Sequence, residues 1–317
     1  MLHLPETALV IEVGPRDGLQ SLARTIDTET KVRMVDRLSA AGLPVIEVTG
    51  FAHPRVIPQL ADAEAVLERI TRRPGTIYRG LVPNARGAER AAGRVDEMLG
   101  LITVSEAYLA KNQNMTRAQA VAEAIKAFAV AESCGARFVM ALGMSMWCPY
   151  EGPIAPERTV SLLEEFHAAG MRRFYLAGSL GMEDPRQVNA LFRQVRERFA
   201  DIEVGYHVHN LSGCGTANVL AALDGGATFI EGAIAGLGGG IMMPTTMGAV
   251  GNLATEDIVA LLSSMGIETG VKPADVASAA RDVAAMLEIE PRSFATAVGG
   301  RADVMAAAKA NPRAHPA

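Results

Sequence analysis

IEVGPRDGLQ, residues 11–20, is the stretch on which the fold of this chain turns. The short apolar run through Val13 stops at Gly14-Pro15, and Arg16 and Asp17 follow side by side. A run of this length closed by Gly-Pro reads as a β-strand ending in a turn. A cation and a carboxylate then stand just beyond the C-terminal end of a first strand, which is where α/β barrels keep their chemistry.

Working outward, short apolar runs alternate with longer segments of helical period. Candidate strands lie at 9–13, 44–48, 76–81, 97–103, 137–142, 172–176, 203–208 and 228–233. Candidate helices lie between them at 28–41, 61–71, 117–134, 156–169, 185–199 and 215–225. Leu162, Leu163, Phe166 and His167 mark one face of such a helix. Glycines punctuate the junctions at Gly42, Gly170 and Gly225-Gly226. Eight β-then-α units imply parallel strands. About 250 residues for eight units suits a TIM (β/α)8 barrel better than an open doubly wound sheet. No GxGxxG sits between the first strand and helix, which argues against two Rossmann-type domains. Further helices are expected at 255–264 and 273–287. The expected α/β fold is therefore a TIM barrel with extra C-terminal helices. Residues 1–290 form the catalytic barrel domain and 291–317 an Ala-rich helical tail, frayed at its end.

Composition narrows the function. The chain has 317 residues, 49% of them hydrophobic and 21% charged, with a net charge of -5. That balance gives no reason to expect nucleic acid or an anionic membrane as partner. No run of about 18 apolar residues suggests a transmembrane helix. MLHLPETALV lacks the basic start and apolar core of a secretory signal. Cys134, Cys148 and Cys214 are too few and too scattered for a disulfide framework. The expectation is a cytoplasmic protein with reduced thiols.

The far half of the chain supplies partners for Asp17. His207 and His209, in YHVHN, stand at i and i+2 on the seventh candidate strand and so point to the same side. Asn252 follows the eighth. Strands one, seven and eight are neighbours around a closed barrel, so these four side chains can converge. Two imidazoles, a carboxylate and an amide oxygen suit a divalent cation with open positions, Mg, Mn, Co or Zn, and not a closed thiolate zinc site. Each signal taken alone has an ordinary alternative. HxH also fits two hydrogen-bonded core histidines, and a lone aspartate after a strand is commonly a turn or cap residue. Topology is what joins them.

With RDG after strand one, HxHN on strand seven and GN after strand eight, the chain resembles the DRE-TIM metallolyases. It is most similar to the 3-hydroxy-3-methylglutaryl-CoA lyase branch. The resemblance rests on GPRDGLQ at 14–20, VIEVTGF at 45–51, PQLAD at 58–62, PNARG at 83–87, SEAYLAKNQNMT at 105–116, CPYEG at 148–152, GLGGG at 236–240 and GNLATEDIVALLSSMGIETGV at 251–271. It implies metal ligands Asp17, His207, His209 and Asn252. It implies that Arg16 contacts the reacting carbonyl, that Glu47 lies in the site, and that Gln20 helps to hold substrate. His53 and Ser179 are further substrate-contact candidates at the mouth. Bland readings stand beside these: Glu47 as an ion-pair partner inside the barrel, Gln20 as a loop cap, Arg16 as a local partner of Asp17, and His53 as a loop residue.

The chain also departs from that family. Gly240 stands where the family has a cysteine after GLGG, and Met242, Met243 and Met247 follow. Gly178-Ser179 replaces an Asp-Thr pair, and Ser21-Leu22 an Asn-Glu pair. A glycine has no proton to return, so that task falls to water, Thr245, Thr246 or Cys214. The activity the resemblance implies is a metal-dependent carbon–carbon lyase. It would cleave a 3-hydroxy acyl-CoA, such as 3-hydroxy-3-methylglutaryl-CoA, or a related hydroxy acid through an enolate. A second reading is a condensing synthase of the isopropylmalate or citramalate type, which GATFIEGAIAGLG at 226–238 also resembles. Against it, the chain has no second regulatory domain. A third is a non-catalytic barrel that binds acyl-CoA or metal. The resemblance further implies a homodimer.

Overall fold

The computed structural model describes residues 2–238 and 251–310. Eight parallel strands close into a barrel. They are β1 (Leu9–Glu12), β2 (Val45–Gly50), β3 (Ile77–Leu81), β4 (Glu97–Thr103), β5 (Arg137–Gly143), β6 (Arg173–Gly178), β7 (Glu203–Val208) and β8 (Phe229–Gly232). Each pairs with its neighbours in chain order, and β8 closes on β1 through Leu9↔Phe229 to Glu12↔Gly232. The expected TIM barrel is the fold.

The helices form around it for local reasons. In α7 (Pro185–Arg198), Asp184 and Gln187 make a reciprocal capping box and Pro185 occupies the first turn, where its missing N–H costs nothing. Val188, Leu191, Phe192 and Val195 recur at i, i+3, i+4 and i+7, and all are buried. Burial of each contributes about 1.5–3 kcal/mol. In α6 (Pro156–Ala168) the expected face is followed by Leu162, Leu163 and Phe166, which are buried, whereas the His167 ring reaches the surface to pair with Asp201 at 2.9 Å.

Three features were not expected. Helices Ala85–Ala91 and Glu106–Gln113 follow β3 and β4, and Trp147–Cys148 pairs antiparallel with Gly152–Pro153. Both helices are too short to show a full apolar stripe. Their caps were readable: Asn84 accepts from the Gly87 N–H and Ser105 from the Tyr108 N–H. Strands β2 and β6 run two residues past their expected ends. Thr49 and Gly178 ended the apolar pattern, yet both lie in the barrel wall. C-terminal to the barrel, α9 (Thr255–Ser264), α10 (Pro273–Leu287), α11 (Phe294–Val298) and α12 (Arg301–Ala310) follow. The expected frayed end, 311–317, lies outside the described residues. Among the described residues no helix is long and apolar enough to cross a membrane.

Candidate functional site

The turn after β1 sets the first half of the site. Gly14–Gly18 forms a single π-helical turn, with the Arg16 and Asp17 N–H groups both donating to the Val13 carbonyl at 3.1 and 2.8 Å. Such turns recur at functional sites because they re-aim side chains without ending the element. Glu12 anchors it from below. Its Oε1 accepts from the N–H groups of Gly14 (2.6 Å) and Ile234 (2.9 Å), and its Oε2 from the Thr255 hydroxyl (2.5 Å). A Cβ at Gly14 would stand 2.5 Å from Glu12 Oε1, so this position requires glycine. Burial pushes the Glu12 carboxyl up to about 8.

The second half comes from β7 and the chain after β8. Residue 252 forms an antiparallel bridge with His209, and the Leu253 N–H donates to Val208 O at 3.0 Å. That short ladder carries Asn252 to the end of β7. Gly238, at φ +123°, lies so close that a Cβ would meet the Asn252 amide nitrogen at 2.2 Å.

Three of the four expected ligands, Asp17, His207 and His209, converge, and Asn252 reaches the cluster through its amide nitrogen. One ligand atom each of Asp17, His207 and His209 lies within 4.8 Å of the others, and all three residues are buried. The two histidine Nε2 atoms are 3.1 Å apart, and His209 Nε2 is 3.7 Å from Asp17 Oδ2. Asn252 Nδ2 donates to Asp17 Oδ2 (2.7 Å) and to the Leu237 carbonyl (3.0 Å), which leaves its Oδ1 buried without a hydrogen-bond partner. Burial pushes the Asp17 carboxyl up, but the Arg16 guanidinium, His209 and His207 outweigh it and hold the group well below the usual carboxylate range. Facing imidazole nitrogens, an ionised carboxylate and an orphaned amide oxygen are a mixed N/O donor set with lone pairs in excess. These residues fit a divalent cation.

Arg16 lies against this cluster. Its Nη1 donates to Asp17 Oδ1 at 2.7 Å and its Nε to Glu47. Nη2 forms no hydrogen bond among the described residues. Behind the ligands lies a layer of buried charge. His207 Nδ1 pairs with Glu231 Oε2 at 3.2 Å, and Glu231 Oε1 takes Arg79 Nη1 at 2.5 Å. Arg79 Nε donates to Glu97 at 2.7 Å, and Glu47 lies 3.7 Å from Arg79. A carboxylate at Nδ1 fixes the imidazole proton there and presents the Nε2 lone pair to the cluster. Sequence reasoning missed Glu231, Arg79 and Glu97. The available signal was a charged residue inside an otherwise apolar strand, in IYRGL and FIEG.

A cavity of about 590 Å³ opens over the cluster. Arg16, Asp17, Gln20, Ser179, His207 and His209 line it, together with the apolar Leu81, Leu101 and Met144. Glu47 is sealed beneath, so it is both an ion-pair partner and a neighbour of the site. His53 does not line the cavity. It is exposed, and its Nδ1 accepts from the Arg55 N–H at 3.2 Å. Ser179 Oγ accepts from the Met144 N–H at 2.9 Å. Gly178 faces away from the cavity: a Cβ there would fall 1.7 Å from Glu183 Oε1, and Glu183 bonds the Tyr206 hydroxyl at 2.5 Å. A buried carboxylate thus fills the space outside Gly178. Cys214 caps α8 (Gly215–Asp224) and does not line the cavity. Gly240, Met242, Met243, Thr245, Thr246 and Met247 lie outside the described residues.

The sequence pattern of the HMGL-like family matches residues 8–283. The mitochondrial hydroxymethylglutaryl-CoA lyase of Mus musculus is 36% identical over 273 residues, covering 84% of this chain and 82% of that one. The HMG-CoA lyase of Bacillus subtilis superposes with a TM-score of 0.89 at 34% identity, covering 93% of this chain and 98% of that one. An HMG-CoA lyase of Acinetobacter baumannii, solved with coenzyme A and 3-methylmalate, superposes with a TM-score of 0.87 at 32% identity and 98% coverage of both chains.

Proposed function

The chain belongs to the HMGL-like family and is a carbon–carbon lyase, and on that premise we propose how its own residues do the work. The substrate is a 3-hydroxy acyl-CoA of the 3-hydroxy-3-methylglutaryl-CoA type, cleaved to acetyl-CoA and a ketone- or oxo-acid product. A relative solved with coenzyme A and 3-methylmalate supports a thioester and hydroxy-acid pair of this kind. The observation that carries the reading is the convergence of Asp17, His207 and His209 beside Arg16 in one cavity.

Asp17, His207, His209 and Asn252 would hold a divalent cation, Mg, Mn, Co or Zn, which would supply a lowered pKa of the substrate hydroxyl. Arg16 is held charged: burial opposes its cation, but Glu47 and Asp17 outweigh burial. With Nε and Nη1 engaged by carboxylates, Nη2 remains for the thioester oxygen. As the bond between C2 and C3 breaks, negative charge moves onto that oxygen, and a fixed guanidinium stabilises it without reorganising. Glu47 keeps Arg16 in place. Gln20 and Ser179 contact substrate at the mouth. The free thiols Cys134, Cys148 and Cys214 suit a reducing compartment, the cytoplasm, and the enzyme works as a homodimer.

The test is purified protein with Mg or Mn and 3-hydroxy-3-methylglutaryl-CoA, followed by acetyl-CoA release with and without chelator. Chelator-sensitive release is expected. Free CoA from acetyl-CoA plus a 2-oxo acid, with no thioester cleavage, would replace this reading with the synthase.

A further inference from the structure

Four tyrosines are buried, and they divide by where they face. Tyr78 and Tyr206 point away from the cavity, and both hydroxyls are bonded: Tyr78 accepts from the Arg73 N–H at 2.8 Å, and Tyr206 donates to Glu183. Tyr108 and Tyr175 line the cavity, and neither hydroxyl makes a hydrogen bond among the described residues. Neither hydroxyl is among the sealed, unpaired polar atoms of the interior, so both open on the cavity. A phenylalanine would fill the same space without offering a donor there, so a hydroxyl turned to the cavity points to a ligand.

Tyr175 is the better placed of the two. Along β6, Tyr175, Ala177 and Ser179 alternate inward, and all three line the cavity. Tyr175 is farthest from the strand's C-terminal end and so lies deepest. Its ring stacks on His207, with centroids 5.5 Å apart and planes 26° apart. It lines the same cavity as Arg16. Small Ala177 above it leaves the approach from the mouth open.

We infer that Tyr175 is a further substrate-binding and catalytic residue, whose hydroxyl donates a hydrogen bond to an oxygen of the hydroxy-acid half of the substrate. A phenol keeps its proton at neutral pH, so it can donate to the C3 oxygen, which carries negative charge once its proton has left and before that charge passes to the thioester oxygen. This rests on the lyase reading for its substrate, but the contact is a property of the cavity itself.

The experiment compares wild type with Tyr175→Phe in three measurements. Acetyl-CoA release is followed from 3-hydroxy-3-methylglutaryl-CoA. Affinities for 3-hydroxyglutarate and for free CoA are measured by calorimetry on Mn-loaded protein. Mn affinity is measured separately. The expected result is a ten- to hundredfold fall in kcat/KM, a similar direction of loss in 3-hydroxyglutarate affinity, and unchanged CoA and Mn affinities. Equal behaviour of the two proteins towards the hydroxy acid, including no binding by either, overturns the inference. So does a parallel loss of Mn affinity, which would mean that the ring acts only by holding His207. If wild type releases no acetyl-CoA but 3-hydroxyglutarate affinity still falls in the variant, the substrate assignment fails and the Tyr175 contact stands.

Discussion

Two clusters of buried charge lie one below the other inside the barrel, and they are built on opposite rules. At the mouth, Asp17, His207 and His209 bring ligand atoms together, and beside them the buried Asn252 amide oxygen has no partner. Below, around Arg79, the signs alternate: its guanidinium meets Glu97 at 2.7 Å and Glu231 at 2.5 Å, with Glu47 at 3.7 Å. Ligand atoms held close suit a cation that completes them. Alternating charges complete one another. The mouth therefore has the make-up of a binding site, and the layer below is a frame that keeps its side chains in place. Glu231 joins the two, with one oxygen on His207 and the other on Arg79.

The contrast is broken most severely by Asp17→Asn. It removes the negative charge from the ligand set, and kcat should fall on the order of a thousandfold, the several kcal/mol that a bound cation supplies. Mn titration should show a matching loss of affinity while the fold, followed by circular dichroism, survives. A fully active variant would show that the cluster holds no catalytic ion. Arg79→Met tests the lower rule. Glu97 would lose its hydrogen-bond partner and Glu231 and Glu47 a shared cation, all of them buried, so denaturant unfolding should show a loss of about 3–5 kcal/mol. Adding Glu97→Gln should recover part of it, and a double variant no better than the single one would contradict the pairing.

A smaller change separates the clusters. Glu231→Gln keeps the shape but weakens the acceptor behind His207. Divalent-ion affinity should drop about 10–100-fold, as for other carboxylates behind a ligating imidazole, with a much smaller effect on Gln20→Ala. The smallest effect is set by pH. Glu12 has a folded-state pKa of about 8 against 4.5 for an ordinary glutamate. An acid with a raised folded pKa contributes stability that is complete below about 4.5 and is lost as pH rises through 8. Wild-type Tm should therefore decline between pH 5 and pH 8 more than that of Glu12→Gln. Parallel Tm curves would show that Glu12 is ionised throughout.

Much of the mouth was legible in the chain because its signals are local. Arg16-Asp17 ends an apolar run, and His207 and His209 share a face by strand period alone. The frame was not legible in the same way. Nothing near IYRGL indicates that Arg79 will meet Glu231, 152 residues away. His53 shows the converse. GFAHP places it at the end of a barrel strand, where a ligand contact is reasonable, but His53 is exposed while Ala52 and Val56 on either side line the cavity. Gly178 reads as a lost polar residue at the mouth. In the fold its missing side chain would point outward, and Glu183 already occupies that space.

The amino-acid sequence alone determined the barrel, because hydrophobic periodicity and glycine punctuation act over a few residues and eight repeats of them admit few closures. It also singled out Asp17, His207 and His209, which the fold brings together. Tertiary structure decided which charges complete one another and which stay open to a ligand. It placed Arg79 behind Glu231 and left the Tyr175 hydroxyl bare beside His207. Those outcomes depend on barrel closure and on the direction of side chains from separate strands, and no local pattern encodes them.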